Sequence, residues 1–239
     1  MVYTEEYMPR TADFSRDGLL SYEAMLQIME TAGSHHSDSV SDNIIDASRR
    51  GTAWILADWR VEIFRRTEST EKLSVSTWVR AKSRAAVIYR NFELRDGAGL
   101  VLARAEAKLC VVDMSTGRLS RISDELFVAY APEDSSVFDS DAPKLRAPSE
   151  SEGEREIALR RSDIDFNGHV HNTRYLDYAL EALPGEVFGS LDIKKLRIAY
   201  TKPVTESQRV TSKYALTDDG TFVSIFADDA LCTLIHINS

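Results

Sequence analysis

The chain has 239 residues, 38 of them acidic and 29 basic, for a formal net charge of −9 at pH 7. Phosphate binding needs a basic surface, so this balance argues against nucleic acid as the principal partner. The hydrophobic content of 43% is that of a globular protein, and no apolar run approaches the roughly 20 residues of a membrane span.

Residues 1–7 read as neither a secretory signal nor an Arg-rich transit peptide. Two cysteines, Cys110 and Cys232, make no disulfide framework. A cytoplasmic protein is the expectation.

The first element reads as a helix. Ser21 is placed to cap it, Tyr22, Met25, Leu26 and Met29 recur on one face, and Gly33 is placed to end it. Met25 and Met29 either fill the core or line an apolar cavity, since methionine adapts to irregular apolar space. His35 and His36 follow near Asp38. Adjacent histidines on a helix cannot face one ion, so they read as a helix-end pair without a ligand role.

Strands come next. Leu73, Val75, Thr77 and Val79 alternate, and residues 101–112 keep the same period of two with one mostly polar face. A helix followed by an antiparallel meander is an α+β unit. Residues 131–152, rich in Asp, Ser, Pro and Glu, read as a surface linker. The expected division is 1–132, a linker at 133–152, and 153–239.

The second half opens on the densest cluster of chemistry in the chain, Asp165-Phe166-Asn167-Gly168-His169-Val170-His171-Asn172. If the segment is extended, Asp165, Asn167 and His169 share one face. A carboxylate, an amide and an imidazole together orient and move a proton. Tyr175, Leu176, Ala179, Leu180 and Leu183 then read as a helix, with Asn172 as cap and Pro184 as stop. Free N–H groups near residues 171–173 are candidates to receive a developing oxyanion.

The run Asp163-x-Asp165-x-Asn167-Gly168 also opens like a calcium loop. Position 12 of that loop must be a bidentate Glu and is here Arg174, so no metal is expected. Residues 221–227 and 230–238 read as the closing strands. Cys110 and Cys232 lie late in strand-like runs at corresponding places in the two halves. Neither has a cationic neighbour or helix N-terminus to activate it, so both read as packing residues.

The two halves repeat. Residues 13–22 match 163–172 at an offset of 150, while Arg60-Val61-Glu62-Ile63 matches Arg197-Ile198-Ala199-Tyr200 at 137. The order of blocks is kept, and the shorter offset means a shorter helix-to-strand connection in the second copy. Where the second copy has Asn167 and His169, the first has Asp17 and Leu19. The imidazole is absent from the first copy.

The segment from Asp163 to Tyr175 resembles the D-x-D-x-N-x-H-V-x-N-x-x-Y signature of the acyl-ACP thioesterase family. Ala53-Trp54-Ile55-Leu56, Arg60-Val61-Glu62-Ile63 and Val75-Ser76-Thr77-Trp78 are similar to its early strands. The resemblance covers most of the chain outside the linker. It implies a tandem double hotdog, each half a long helix wrapped by a curved antiparallel sheet.

It also implies hydrolysis of a fatty acyl thioester carried by acyl carrier protein, without a cofactor. The catalytic residues fall on Asp165, Asn167 and His169. The first half would hold the acyl chain, with Met25, Met29 and Trp54 as substrate-binding candidates. The family's second-half Glu, and the Cys that follows it in plant members, fall on Pro203 and Val204. Proline has no acid–base chemistry, and Glu206 is the nearest carboxylate in sequence.

An acidic carrier protein must dock on a local basic patch, for which Lys194, Lys195 and Arg197 are the candidates, near the mouth of the site. A thioesterase preferring acyl-CoA and a non-catalytic acyl-binding protein are the alternatives. A homodimer is compatible with the fold but not required, since a tandem supplies the pairing of two hotdogs within one chain.

Overall fold

The computed structural model describes residues 1–43, 49, 51–68, 70–81 and 86–239. Two units divide the chain, Met1–Asp141 and Ala142–Ser239.

The first unit runs β1 (Tyr3–Tyr7), a 3-10 turn (Thr11–Asp13), α1 (Tyr22–Ser39), β2 (Thr52–Ile63), β3 (Leu73–Val79), β4 (Val87–Arg95), β5 (Val101–Asp113) and α2 (Asp124–Ala129). Its strands pair antiparallel in the order β1-β3-β4-β5-β2. Helix α1 lies on β1, β3 and β4 and buries Met25, Leu26, Met29 and Ala32, as its apolar spacing requires. Ser21 caps it, its Oγ accepting the Ala24 N–H at 3.0 Å.

Gly33 does not end α1, which continues to Ser39. A Cβ there would stand 3.3 Å from both the Arg90 side chain and the Phe92 ring. The glycine is a packing residue, letting helix and sheet approach closely.

The second unit repeats the plan with β6 (Gly153–Ile157), a 3-10 turn (Arg161–Asp163), α3 (Arg174–Ala182), α4 (Gly185–Gly189), β7 (Lys195–Tyr200), β8 (Val210–Thr217), β9 (Gly220–Ala227) and β10 (Ala230–Asn238). The order is β6-β8-β9-β10-β7, again antiparallel, with α3 lying on β6, β8, β9 and β10. Replacing each strand by the one five places later converts the first order into the second. The register repeats too: Tyr7 stands opposite Leu73, and Ile157 opposite Val210. Each unit is the helix-on-curved-sheet hotdog expected from sequence.

Residues 131–152 are tied down rather than loose. The first part follows the first unit: Ala81 donates to the Glu133 carbonyl at 2.7 Å, Trp78 Nε1 to that of Ser135 at 3.0 Å, and the Arg60 guanidinium lies 3.9 Å from the Phe138 ring centroid. The later part follows the second unit, where residues 147–151 cross β8 and β9 above Phe222 and Phe226, leaving a cleft of about 250 Å³. Among the described residues no helix is long and apolar enough to cross a membrane.

Candidate functional site

In the second unit the chain enters the motif through Asp163, a buried carboxylate. Its Oδ2 accepts the Arg160 N–H at 2.9 Å and the Tyr178 hydroxyl at 2.8 Å, and its carbonyl accepts the His171 N–H at 2.9 Å. The base of the turn is thereby fixed to α3.

Residues 165–169 are not extended. Asp165 N–H donates to the His169 carbonyl at 2.7 Å, and Gly168 N–H to the Asp165 carbonyl at 3.0 Å. Asp165 Oδ1 accepts the N–H groups of Asn167 and His169 at 2.8 and 3.1 Å. This Asx-type capture, with Gly168 at φ +79°, reverses the chain within five residues. Asp165 and His169 therefore meet across a turn, not along one strand face, and Asn167 stands at the exposed tip beside Phe166. Among the described residues, neither the Asn167 amide nor the His169 ring is engaged in a side-chain hydrogen bond. Asp165 is committed to the turn.

A second segment, residues 203–208, runs beside the motif. Val170 N–H donates to the Val204 carbonyl at 2.8 Å, and His169 pairs antiparallel with Thr205. Val204 N–H in turn donates to the buried Tyr175 hydroxyl at 3.0 Å, so α3 holds this segment in place. Burial pushes the Tyr175 phenol up to about 12. Thr205 N–H and Oγ1 both donate to Gln208 Oε1, at 2.9 and 3.1 Å. Pro203 and Glu206 are exposed. Sequence reasoning missed Thr205 and Gln208, because only the strand pairing brings them opposite His169.

The helix start differs from expectation. Thr173, not Asn172, occupies the cap position of α3, and its side chain makes no cap hydrogen bond. The Asn172 carbonyl accepts the Tyr200 hydroxyl at 2.9 Å. Of the three candidate oxyanion donors, His171 N–H is spent on Asp163 and Thr173 N–H lies 3.4 Å from His171 Nδ1. The Asn172 N–H is the member without an acceptor among the described residues.

Lys194, Lys195 and Arg197 lie at the opening of β7. Tyr200, which meets the motif, is at its other end, about 16 Å along the strand. Lys195 is thus a strand length from the residue that meets the motif, and Arg197 about 10 Å from it. Lys194 Nζ pairs with Asp192 at 2.7 Å and Arg197 donates to the Pro143 carbonyl, while Lys195 is exposed.

In the first unit Met25 and Met29 are fully buried on α1. Trp54 packs against the cluster of Val79, Ile88, Val111, Ile122 and Tyr130 and donates to Asp42 Oδ2 at 2.9 Å. The same carboxylate accepts the Tyr130 hydroxyl at 2.7 Å. His35 is exposed on Glu5, whereas His36 is fully buried, its Nδ1 2.9 Å from Arg90 Nη1 and its ring stacked on Tyr3. Burial, then the Arg90 charge, lowers His36 to about 4.

Cys110 is near the end of β5, but Cys232 opens β10, so the two do not correspond. Burial pushes both thiols up, opposite to what a nucleophilic thiolate needs.

Residues 1–130 match the acyl-ACP thioesterase N-terminal domain and residues 146–229 the acyl-ACP thioesterase C-terminal domain. The chain belongs to the acyl-ACP thioesterase family.

Within it, the chain is 23% identical over 228 residues to oleoyl-acyl carrier protein thioesterase 2, chloroplastic, of Arabidopsis thaliana, covering 88% of this chain and 62% of that protein. It is 23% identical over 244 residues to dodecanoyl-[acyl-carrier-protein] hydrolase, chloroplastic, of Umbellularia californica, covering 97% and 64%. The chain thus spans less than two thirds of these relatives. Among solved structures, the 12:0-ACP thioesterase from Umbellularia californica superposes with a TM-score of 0.86 at 20% identity, covering 99% of this chain and 96% of that one. An acyl-ACP thioesterase from Bacteroides thetaiotaomicron gives 0.87 at 17% identity, covering 99% and 96%. These likenesses establish the fold.

Proposed function

We propose that this family member hydrolyses fatty acyl-ACP to free fatty acid and the carrier thiol. The observation that carries the reading is the motif turn, in which Asp165 holds the backbone of Asn167 and His169 while the amide and the imidazole are unengaged among the described residues. In the proposed mechanism His169 takes a proton from water as the water attacks the thioester carbonyl carbon, a role suited to imidazole near neutral pH. The Asn167 amide and the Asn172 N–H donate to the carbonyl oxygen as it gains charge. The tetrahedral intermediate expels the thiolate, which recovers the proton from the His169 imidazolium. No cofactor enters.

The acyl chain is assigned to the first unit, where the adaptable side chains of Met25 and Met29 lie buried on α1 and Leu19 takes the place of the histidine. The carrier protein is assigned to the basic residues of β7. The unpaired thiols of Cys110 and Cys232 suit a reducing compartment such as the cytoplasm.

Purified protein assayed for fatty-acid release from acyl-ACP and acyl-CoA tests the reading. Release from acyl-ACP that is lost in H169A is the expected result. Release from acyl-CoA alone would favour a CoA thioesterase. Binding of acyl chains without release from either would favour the non-catalytic role that Pro203 makes worth testing.

A further inference from the structure

We infer that Thr205, braced by Gln208, is the positioning residue for the His169 imidazole, standing in for the carboxylate that Pro203 cannot supply. The inference rests on the proposed hydrolysis. The backbone places the two side chains next to each other on one face. His169 and Thr205 form an antiparallel pair, yet neither N–H serves the other: His169 N–H goes to Asp165 and Thr205 N–H to Gln208. The flanking bond, Val170 N–H to the Val204 carbonyl, completes the pattern of a non-hydrogen-bonded pair. In such a pair the Cα atoms approach to about 4.5 Å and the side chains lie closest on one face. Glu206, the nearest carboxylate in sequence, is one position further along, exposed on a turn.

A proton inventory fixes the direction of the contact. A backbone N–H can only donate, so the end of the Gln208 amide facing Thr205 is its oxygen. That oxygen can only accept, so the Thr205 hydroxyl proton, 3.1 Å away, is committed to it. Thr205 Oγ1 is left with lone pairs alone. It can receive a ring N–H from His169 and cannot donate to it. The His169 ring makes no such bond in the structure; on turning to donate to Thr205 Oγ1 it would hold one nitrogen protonated and keep the other bare, which is the state a general base needs. During turnover the bare nitrogen takes the water proton and later returns it to the leaving thiolate, while the N–H on Thr205 is unchanged. The partner is neutral, so unlike a carboxylate it orients the ring without adding charge.

The test uses T205V, T205S, Q208E and H169A in the full chain. T205V should lower kcat for acyl-ACP by about 10- to 100-fold with little change in KM, and T205S should recover most of the loss. Q208E keeps the acceptor for Thr205 and adds a charge, so the acid limb of kcat/KM should move to higher pH. The other carboxylates of the two segments facing His169, Asp165 and Glu206, are common to all variants. Nitrogen NMR of the His169 ring, which needs no turnover, should show one neutral tautomer in the wild type and a mixture in T205V.

T205V with wild-type kcat and an unaltered tautomer would overturn the assignment. Equal loss in T205V and T205S would do so as well, by marking a merely structural residue. A wild type without hydrolytic activity, or an active H169A, would instead overturn the proposed reaction. The tautomer measurement would still decide whether Thr205 orients the ring.

Discussion

Arg66 stands in the first unit where Pro203 stands in the second. Leu20 N–H donates to the Thr67 carbonyl at 2.7 Å and Val170 N–H to the Val204 carbonyl at 2.8 Å, so each of the two residues immediately precedes the equivalent acceptor. Arg66 uses the place fully. Its guanidinium donates to both Asp17 carboxylate oxygens, at 2.8 and 3.1 Å, to Ser15 Oγ at 2.5 Å, and to the carbonyls of Leu19 and Leu20. Asp17 is the repeat partner of Asn167 and Ser15 that of Asp165. The first copy of the turn is thus locked by an internal ion pair where the second keeps unengaged polar groups.

This lock carries a pH signature. Hydrogen bonding to Arg66 lowers Asp17 from its ordinary 3.8 to about 2. A carboxylate lowered on folding stabilises the folded state above its unfolded value, and the contribution is lost as pH falls toward the folded one. The Tm difference between wild type and D17N should be constant above about pH 5 and shrink toward pH 2. R66A, which leaves the buried Leu20 carbonyl and the half-buried Ser15 and Leu19 acceptors without this donor, should cost about 1–3 kcal/mol in urea unfolding at neutral pH. A Tm gap independent of pH would remove the lock from the account of acid stability.

His36 acts in a different window. Its value near 4, set by burial and by Arg90, means that the unfolded chain takes up a proton well before the folded one. Stability should fall as pH drops from about 6.5 to 4 and then level, by about 3 kcal/mol at most. H36Q keeps an acceptor for Arg90 but does not titrate, so its pH dependence over this range should be flatter. Parallel curves for the two proteins, followed by calorimetry, would count against a neutral buried His36.

Gly33 sets two effects in opposition. Alanine in mid-helix gains up to about 1 kcal/mol over glycine. Its Cβ would meet Arg90 and Phe92 at 3.3 Å, and both neighbours are buried. Overpacking of this kind costs about 1–3 kcal/mol, so G33A should lower the denaturant midpoint, and G33V more so. A stabilised G33A would show that α1 can shift outward at little cost.

For the proposed chemistry, H169A and N167A should each reduce turnover of acyl-ACP by about 100-fold or more, the scale of losing a general base or an oxyanion donor, with the circular dichroism spectrum unchanged. C110S and C232S should leave the chemical step intact, since burial keeps both thiols protonated. A folded but inactive cysteine variant would reinstate a thiolate nucleophile.

Sequence periodicity located the strands well because alternation and burial report the same physics. Residues 73–79 and 230–238 fall on β3 and β10 without adjustment. The repeat offsets were legible because turns and registers are local. What failed involved competition between local and tertiary demands. Gly33 looks like a helix stop, but Phe92 on a distant strand requires it inside α1. Asp165, Asn167 and His169 look like an alternating strand, but the Asp165 carboxylate captures two backbone amides and closes a turn. The Arg66 lock and the Thr205–Gln208 pair depend on segments tens of residues away from the turns they serve, or on a pairing that carries no local pattern.

Partner choice gives the last prediction. A chain of net charge −9 repels an acidic carrier protein overall, so the proposed docking would depend on locally unbalanced cations. The three candidates on and beside β7 are not equivalent. Lys194 is compensated by Asp192, and Arg197 is engaged with the Pro143 carbonyl, whereas Lys195 is exposed and forms no ion pair among the described residues. Reversing Lys195 to Glu should therefore raise KM for acyl-ACP more than reversing Lys194 does, with little change in kcat, because rim charges act on encounter. Added salt should weaken the wild-type interaction and erase most of the difference. Acyl-CoA hydrolysis should respond less, since the effect belongs to the carrier surface. Equal responses to both substrates, or none, would remove this end of β7 as the dock and direct attention to the cations nearer the motif turn, such as Lys202.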